Sequence, residues 1–231
     1  MYLCIFVYTY AGAGKTNIAM LTFLQLVKQH IHSGSLDLAG VKAIYIAPMK
    51  ALAQEVVEKF SERLAPLGLT VKEYTGDMQL TKKEVSDSQL LVTTPEKYDV
   101  VTRKGGDGSL GTLVSLIIID EVHLLADERG AVIETIVART QRYVESSQRL
   151  VRLVGLSATL PNYKDVAVFL GVNQRTGLFH FGAEFRPVPL DQTFIGVTEK
   201  NRNKRAEVMN RIAYDKMVKA LERDKQVCSL I

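Results

Sequence analysis

Two cysteines in 231 residues are too few for a disulfide framework. They stand near opposite ends, Cys4 and Cys228, with no Cys-x-x-Cys pair. His30, His32, His123 and His180 keep no metal-ligand spacing with them, so the sequence argues against a zinc site and fits a reducing compartment. Long hydrophobic runs are also missing. Residues 1–10 are apolar but far too short to span a bilayer, and they lack the basic start and small-residue cleavage site of a secretory signal. No membrane partner is expected. There is no internal repeat. Nor is there much charge of one sign: the formal net charge is +4, and residues 199–225 account for it, with nine basic and five acidic residues, leaving twenty of each before them. That surplus reads as a solvated helix face, with contact to a phosphate backbone as the alternative.

What is present is an ordinary globular balance, 47% hydrophobic and 23% charged, enough for a sizeable core. Apolar runs of strand length alternate with amphipathic stretches of helix length. Strands are expected over residues 3–8, 42–47, 69–74, 89–93, 116–119 and 152–156. Helices are expected over 15–31, 49–65, 129–147 and 162–170, with a short polar helix between the third and fourth strands. Continuous Ile, Val and Leu suit parallel strands covered on both faces, and strand–helix alternation implies an α/β fold with a doubly wound, mostly parallel sheet. Gly105-Gly106-Asp107-Gly108 reads as a flexible surface loop. Arg186-Pro187-Val188-Pro189 reads as a connector, because its prolines enforce extended backbone. After it a strand is expected over 192–197 and a long polar helix over about 203–223.

Ligands of such sheets bind beyond the carboxyl ends of the strands, and the chemistry-bearing motifs fall there. Gly12-Ala13-Gly14-Lys15-Thr16 follows a strand and opens a helix. Glycines let backbone N–H groups close on a phosphate, and the helix N-terminus adds positive charge. Lys15 is placed to reach the outer phosphates, Asn17 lies in the same helix start, and the Thr16 hydroxyl can ligate magnesium. The usual phosphate loop begins with Gly or Ala five residues before its second glycine, where Thr9 stands here, with Tyr10 behind it. The second motif is Asp120-Glu121-Val122-His123, at the exit of the strand 116–119. Asp120 can hold magnesium through water, and Glu121 can orient or deprotonate an attacking water. An acidic strand exit is common by itself; it gains meaning on the same sheet as a phosphate loop. Ser157-Ala158-Thr159, at the end of another strand, says little alone. A GTPase or small-molecule kinase is disfavoured by the lack of an Asn-Lys-x-Asp guanine-reading signal.

In this order the three motifs resemble those of DExH helicases of superfamily 2, whose ATP-binding domain is RecA-like. The likeness extends to Ala47-Pro48-Met49-Lys50-Ala51-Leu52-Ala53, Thr75-Gly76-Asp77, Thr93-Thr94-Pro95-Glu96-Lys97 and Gly155-Leu156-Ser157-Ala158-Thr159-Leu160-Pro161-Asn162, which are similar to the superkiller-type branch. Phe185-Arg186-Pro187-Val188-Pro189-Leu190 resembles that branch's connector into a second RecA-like domain. Within the branch the chain is most similar to the first cassette of the two-cassette helicases. Two subfamilies compete there. The helicases of activating signal cointegrator complexes, with fungal counterparts in the ribosome quality control trigger complex, stand first, on residues 75–80, 132–140 and 144–148. The spliceosomal helicases are favoured by residues 196–200.

The resemblance implies an ATP- and Mg²⁺-dependent motor that translocates on and unwinds a nucleic acid, RNA or DNA. It assigns Gly12, Ala13, Gly14, Lys15, Thr16, Asn17 and Asp120 to nucleotide and metal, with Lys15 and Glu121 catalytic. His123, Ser157 and Thr159 would couple nucleotide state to strand grip. Pro48, Lys50, Thr75, Gly76, Thr94, Pro95 and Lys97 would grip the phosphates of one strand. Tyr98 stands where the family usually has Trp. The implied domains are 1–184 (ATP-binding), 185–191 (connector) and 192–231 (start of the second domain). The second domain's arginines and the adenine-reading segment are not in this sequence, and both ends diverge from the family. The chain is therefore expected to be a piece of a longer motor, inactive by itself, whose partners are the remaining motor domains and a multi-subunit complex in nucleus and/or cytoplasm. A non-catalytic module that binds nucleotide or nucleic acid is the alternative.

Overall fold

The apolar runs become a seven-stranded sheet whose strands are all parallel, in the order β5-β6-β4-β7-β8-β1-β9. The strands are β1 (Ile5–Thr9), β4 (Ala43–Ile46), β5 (Val71–Tyr74), β6 (Leu90–Thr93), β7 (Leu116–Ile119), β8 (Arg152–Ser157) and β9 (Leu178–Phe181). The computed structural model describes residues 4–10, 12–76, 78, 80–103, 110–189 and 193–227. Leu3, Asp77, Gly105, Gly106, Asp107, Gly108, Leu190, Gln192 and Cys228, which entered the expectations above, lie outside them.

Alternation along each strand sends side chains to two cores. Phe6, Ile44, Ile46, Ile117 and Ile119 face one side, packed with Tyr98 of α4 (Pro95–Arg103), Ile133 and Val137 of α6 (Gly130–Ser147) and Val166 of α7 (Tyr163–Phe169). Val7, Tyr45, Ile118, Val154 and Leu156 face the other. They meet Ala19 and Phe23 of α1 (Lys15–Gln29) and Val56 and Phe60 of α2 (Lys50–Leu64). Each such side chain removed from water contributes about 1.5–3 kcal/mol, and this two-sided burial holds the sheet in place under its loops. Gly155 in β8 has no room for more: a Cβ there would lie 2.6 Å from Leu170 Cδ1 and 3.0 Å from Phe6 Cδ2.

Several elements escaped the sequence reading. α1 ends at Gln29 rather than 31, because Ile31 leaves the helix to pair with Leu36. A two-residue hairpin, β2 (Ile31–His32) with β3 (Ser35–Leu36), turns on Ser33 and Gly34, both at positive φ. The α4 helix begins on Pro95, which suits a first helical turn. A single turn, α5 (Leu110–Leu113), leads into β7. β9 was missed because it is an edge strand with exposed Phe179 and His180 and little patterning. The short polar helix is α3 (Lys82–Asp87), started by a reciprocal Thr81–Glu84 capping box.

The chain divides into two units, Met1–Val188 and Pro189–Ile231. In the second, the expected strand over 192–197 is not formed: residues 193–200 carry no strand, since a strand is held by a neighbour to pair with and no other strand is described in this unit. The polar helix is present as α8 (Arg202–Leu221). Asn201 Oδ1 caps it by accepting from Asn203 N at 3.0 Å and Lys204 N at 3.2 Å.

Candidate nucleotide and nucleic-acid site

Because all the strands are parallel, their carboxyl ends share one edge of the sheet, and the motif residues gather on it. β8 lies between β1 and β7, with Tyr8 beside Ser157 and Ile119 beside Gly155. The loop after β1, the acidic pair after β7 and the hydroxyl turn after β8 are therefore neighbours in space, although more than a hundred residues separate Lys15 from Glu121.

Thr9 is the last residue of β1, fully buried, with its hydroxyl meeting no hydrogen-bond partner among the described residues. It belongs to the strand rather than the loop, which accounts for the departure at that position. The loop then turns through Gly12 (φ 85°) and Gly14 (φ 98°), left-handed conformations that side-chain-bearing residues rarely adopt. Ala13 N donates to Tyr10 O at 3.3 Å. Gly14 is the N-cap of α1, and Lys15, Thr16 and Asn17 form the helix's first turn. Asn17 is exposed, and its Oδ1 accepts from Arg63 of α2 at 2.9 Å.

Lys15 Nζ crosses β8 to the Glu121 carboxylate, 2.8 Å from Oε1 and 2.7 Å from Oε2, with the two side chains 14% and 27% exposed. Glu121 itself sits at φ 52°. This strained backbone turns its side chain back over the sheet edge. Asp120 is held from two sides: Tyr45 Oη donates to Oδ2 at 2.6 Å and Glu121 N to Oδ1 at 2.9 Å. Burial pushes the Asp120 carboxyl up and the neighbouring Glu121 charge adds to this, outweighing the Tyr45 hydroxyl and the Lys15 ammonium. The same burial, with Asp120 beside it, holds the Tyr45 phenol well above its ordinary range. A divalent cation beside Asp120 would favour its ionised form. One hydroxyl (Thr16) and carboxylate oxygen on a shared edge suit Mg²⁺, which keeps most of its waters and takes substrate phosphates.

His123 follows in a 3-10 turn, Val122–Ala126. Its Nδ1 is 3.3 Å from Glu121 Oε2, 3.4 Å from Ala158 N and 3.5 Å from Ser157 Oγ. The structure thus brings His123 and Ser157 together with Glu121. Thr159 lies further out and is exposed.

The remaining expected residues line the same edge over β4, β6 and β5. Pro48 is buried after β4, and Lys50 opens α2 exposed to solvent. Thr75 is buried, with its hydroxyl on Glu73, and Gly76 turns at φ 47°. Thr94 and Pro95 start α4. Lys97 Nζ reaches back to the carbonyls of Gly76 (2.9 Å) and Met78 (3.1 Å) over the Tyr74 ring. Sequence reasoning passed over Tyr45, Arg63, Arg129 and Arg139. Arg129 joins Pro48 O to Glu96, and Arg139 NH2 meets the buried Asp99 at 2.7 Å, fastening α4 to α6. Nothing in local spacing marks these residues, because each partner lies on another element.

A parallel sheet with a phosphate loop after β1 and an acidic pair two strands away defines a RecA-like P-loop ATPase domain. The DEAD/DEAH box helicase model matches residues 4–166, and the chain belongs to that family. It is 59% identical over 215 residues to the DExH-box ATP-dependent RNA helicase DExH14 of Arabidopsis thaliana. It is 56% identical over 217 residues to the activating signal cointegrator 1 complex subunit 3 of Rattus norvegicus, and 54% over 208 residues to the human U5 small nuclear ribonucleoprotein 200 kDa helicase. These matches cover 93%, 94% and 90% of this chain but 10% of each relative, so the chain spans about a tenth of their length. Both expected subfamilies are thus among the relatives. Among solved structures, the DUF1998 helicase MrfA bound to DNA shares the fold, with a TM-score of 0.64 at 22% identity over 79% of this chain and 25% of that one. ATP binding goes with the family.

Proposed function

We propose that this chain is the ATP-binding half of a helicase motor that works on RNA or DNA, with residues 1–184 as the first RecA-like domain, 185–191 as connector and 192–231 as the start of the second. The observation that carries the reading is the Lys15–Glu121 contact across β8. It puts the ammonium of the phosphate loop and the carboxylate of the acidic pair around one point, where a γ-phosphate and its attacking water would meet.

The amides of Gly14, Lys15 and Thr16 wrap the phosphates at the start of α1, with Gly12 and Ala13 giving the turn and Asn17 closing the first helical turn, and Lys15 neutralises the outer phosphates. Thr16 and Asp120 would hold Mg²⁺, which when bound would offset the charge of the phosphates. Glu121 orients the attacking water and accepts its proton. His123 lies between that carboxylate and Ser157–Ala158, so a change at one is felt at the other, and Thr159 extends the turn toward the strand. Lys50, Thr75, Gly76, Thr94 and Lys97, with the helix starts after Pro48 and at Pro95, grip the phosphates of a single strand without reading bases. Transition-state arginines come from the remaining motor domains, an effect worth about 10³–10⁵ in rate, so the chain alone binds ATP weakly and turns it over slowly or not at all. The complete motor works in the nucleus and/or cytoplasm, within a multi-subunit complex.

Titration of the chain with a fluorescent ATP analogue and Mg²⁺ tests this. Binding is expected, and Lys15→Ala and Asp120→Asn each weaken it. Equal binding by all three proteins, or none by the unaltered chain, refutes the proposal and leaves the non-catalytic module.

A further inference from the structure

Arg129 belongs to none of the motifs, yet it touches two of the loops that carry them. Its NH1 donates to the carbonyl oxygen of Pro48, and its Nε lies 3.3 Å from Glu96 Oε1. Pro48 stands just before α2 and Glu96 in the first turn of α4, so one guanidinium joins the helix starts above the neighbouring strands β4 and β6. Those helix starts present the free backbone amides best suited to strand phosphates.

Arg129 is itself held to the acidic-pair segment. It is the N-cap residue of α6, directly after the turn that carries His123. Gly130 N closes on Asp127 O at 2.9 Å. A Cβ on Gly130 would sit 2.1 Å from Leu125 O, so only glycine lets α6 begin this close to the turn. The backbone from which the guanidinium extends is therefore set by the chain that leaves Glu121.

Glu96 is an exposed carboxylate in the first turn of α4, and the arginine on it keeps that turn in place.

From these contacts we infer that Arg129 is a positioning residue for the strand grip. It fixes the spacing between the Pro48–Lys50 and Thr94–Lys97 loops and ties both to the acidic-pair turn, without touching the nucleic acid. This rests on the strand-gripping reading above. A planar fork that meets a carbonyl and a carboxylate together is something lysine cannot reproduce.

The test is binding of a labelled single-stranded oligouridylate to the chain, over a series of salt concentrations, for the unaltered protein, Arg129→Ala and Arg129→Lys. ATP-analogue affinity serves as the control for folding. Arg129→Ala is expected to weaken strand binding about tenfold, roughly 1.4 kcal/mol, with ATP-analogue affinity held within about twofold. The slope of log affinity against log salt stays the same, because no phosphate contact is lost, and Arg129→Lys stays weakened. A direct phosphate contact would instead lower the slope by about 0.7 and be restored by lysine; that result overturns the inference. So does unchanged strand binding in both variants. If the unaltered chain binds the ATP analogue but no oligonucleotide, the strand-gripping reading fails and this inference falls with it. Binding by the unaltered chain with no effect of Arg129 removes the inference alone.

Discussion

Glu121→Gln separates two jobs that the structure gives to one carboxylate. Glu121 holds the Lys15 ammonium with both oxygens, at 2.8 and 2.7 Å, in a place where the side chains are 14% and 27% exposed. A triphosphate arriving at the loop has to draw Lys15 off that carboxylate. At an effective dielectric near 20, charges this close attract by several kcal/mol. Partial exposure and the desolvation of both groups leave a net of about 1–2 kcal/mol. Gln removes the charge, keeps the shape, and can still meet His123. ATP-analogue affinity should therefore rise by a factor of about 5–30. Wherever a longer form of the protein turns ATP over, kcat should fall about 10²–10⁴-fold for want of the base. The assay is titration with a fluorescent ATP analogue and Mg²⁺, beside a phosphate-release measurement. Affinity that is unchanged or weaker in Glu121→Gln would refute the competition, whatever happened to turnover.

Three further outcomes follow from packing and charge. Gly155→Ala puts a methyl 2.6 Å from Leu170 Cδ1 and 3.3 Å from Val122 Cγ2, the residue next to Glu121; urea unfolding should show a loss of about 1–3 kcal/mol, and ATP-analogue affinity should change with it. Asp99→Asn breaks the contacts to Arg139 at 2.7 Å and Arg103 at 2.5 Å and should cost about 2–3 kcal/mol at neutral pH. Burial alone would push the Asp99 carboxyl up, but the two arginines outweigh it and hold the carboxyl below its ordinary 3.8; its stabilisation is thus complete above that value and lost as pH falls below it, and the gap between unaltered protein and variant should close in acid. Lys42 is 4% exposed and donates to Val85 O (2.5 Å), Ser86 O (2.9 Å) and Ser88 O at the end of α3. Lys42→Met leaves the Ser86 and Ser88 carbonyls without this donor, while Val85 O keeps Ser88 Oγ at 3.2 Å, and should cost about 1–3 kcal/mol, read by urea unfolding; an unchanged midpoint would contradict this.

Whatever follows from local rules can be read along the chain without any tertiary contact. The unbroken Leu and Ile of residues 116–119, and the run 153–156 broken only by Gly155, point to strands buried on both faces. Gly12 and Gly14 before Lys15 mark a turn that closes on a helix start, and parallel strands put every motif on one edge. Pairing and reach belonged to the tertiary structure. That β8 lies between β1 and β7, so that Lys15 must cross it to meet Glu121, is a matter of strand order, which no spacing encodes. Tyr45 lies within the strand expected over 42–47 and Arg129 at the start of the helix expected over 129–147, and neither spacing encodes that the hydroxyl meets Asp120 or that the guanidinium meets Pro48 and Glu96. The strand expected over 192–197 shows the same limit from the other side, because β-propensity names a candidate and a neighbouring strand decides whether it forms. Local propensity and period are written residue by residue, whereas a hydrogen bond between elements depends on where the chain returns, and only the packed sheet fixes that.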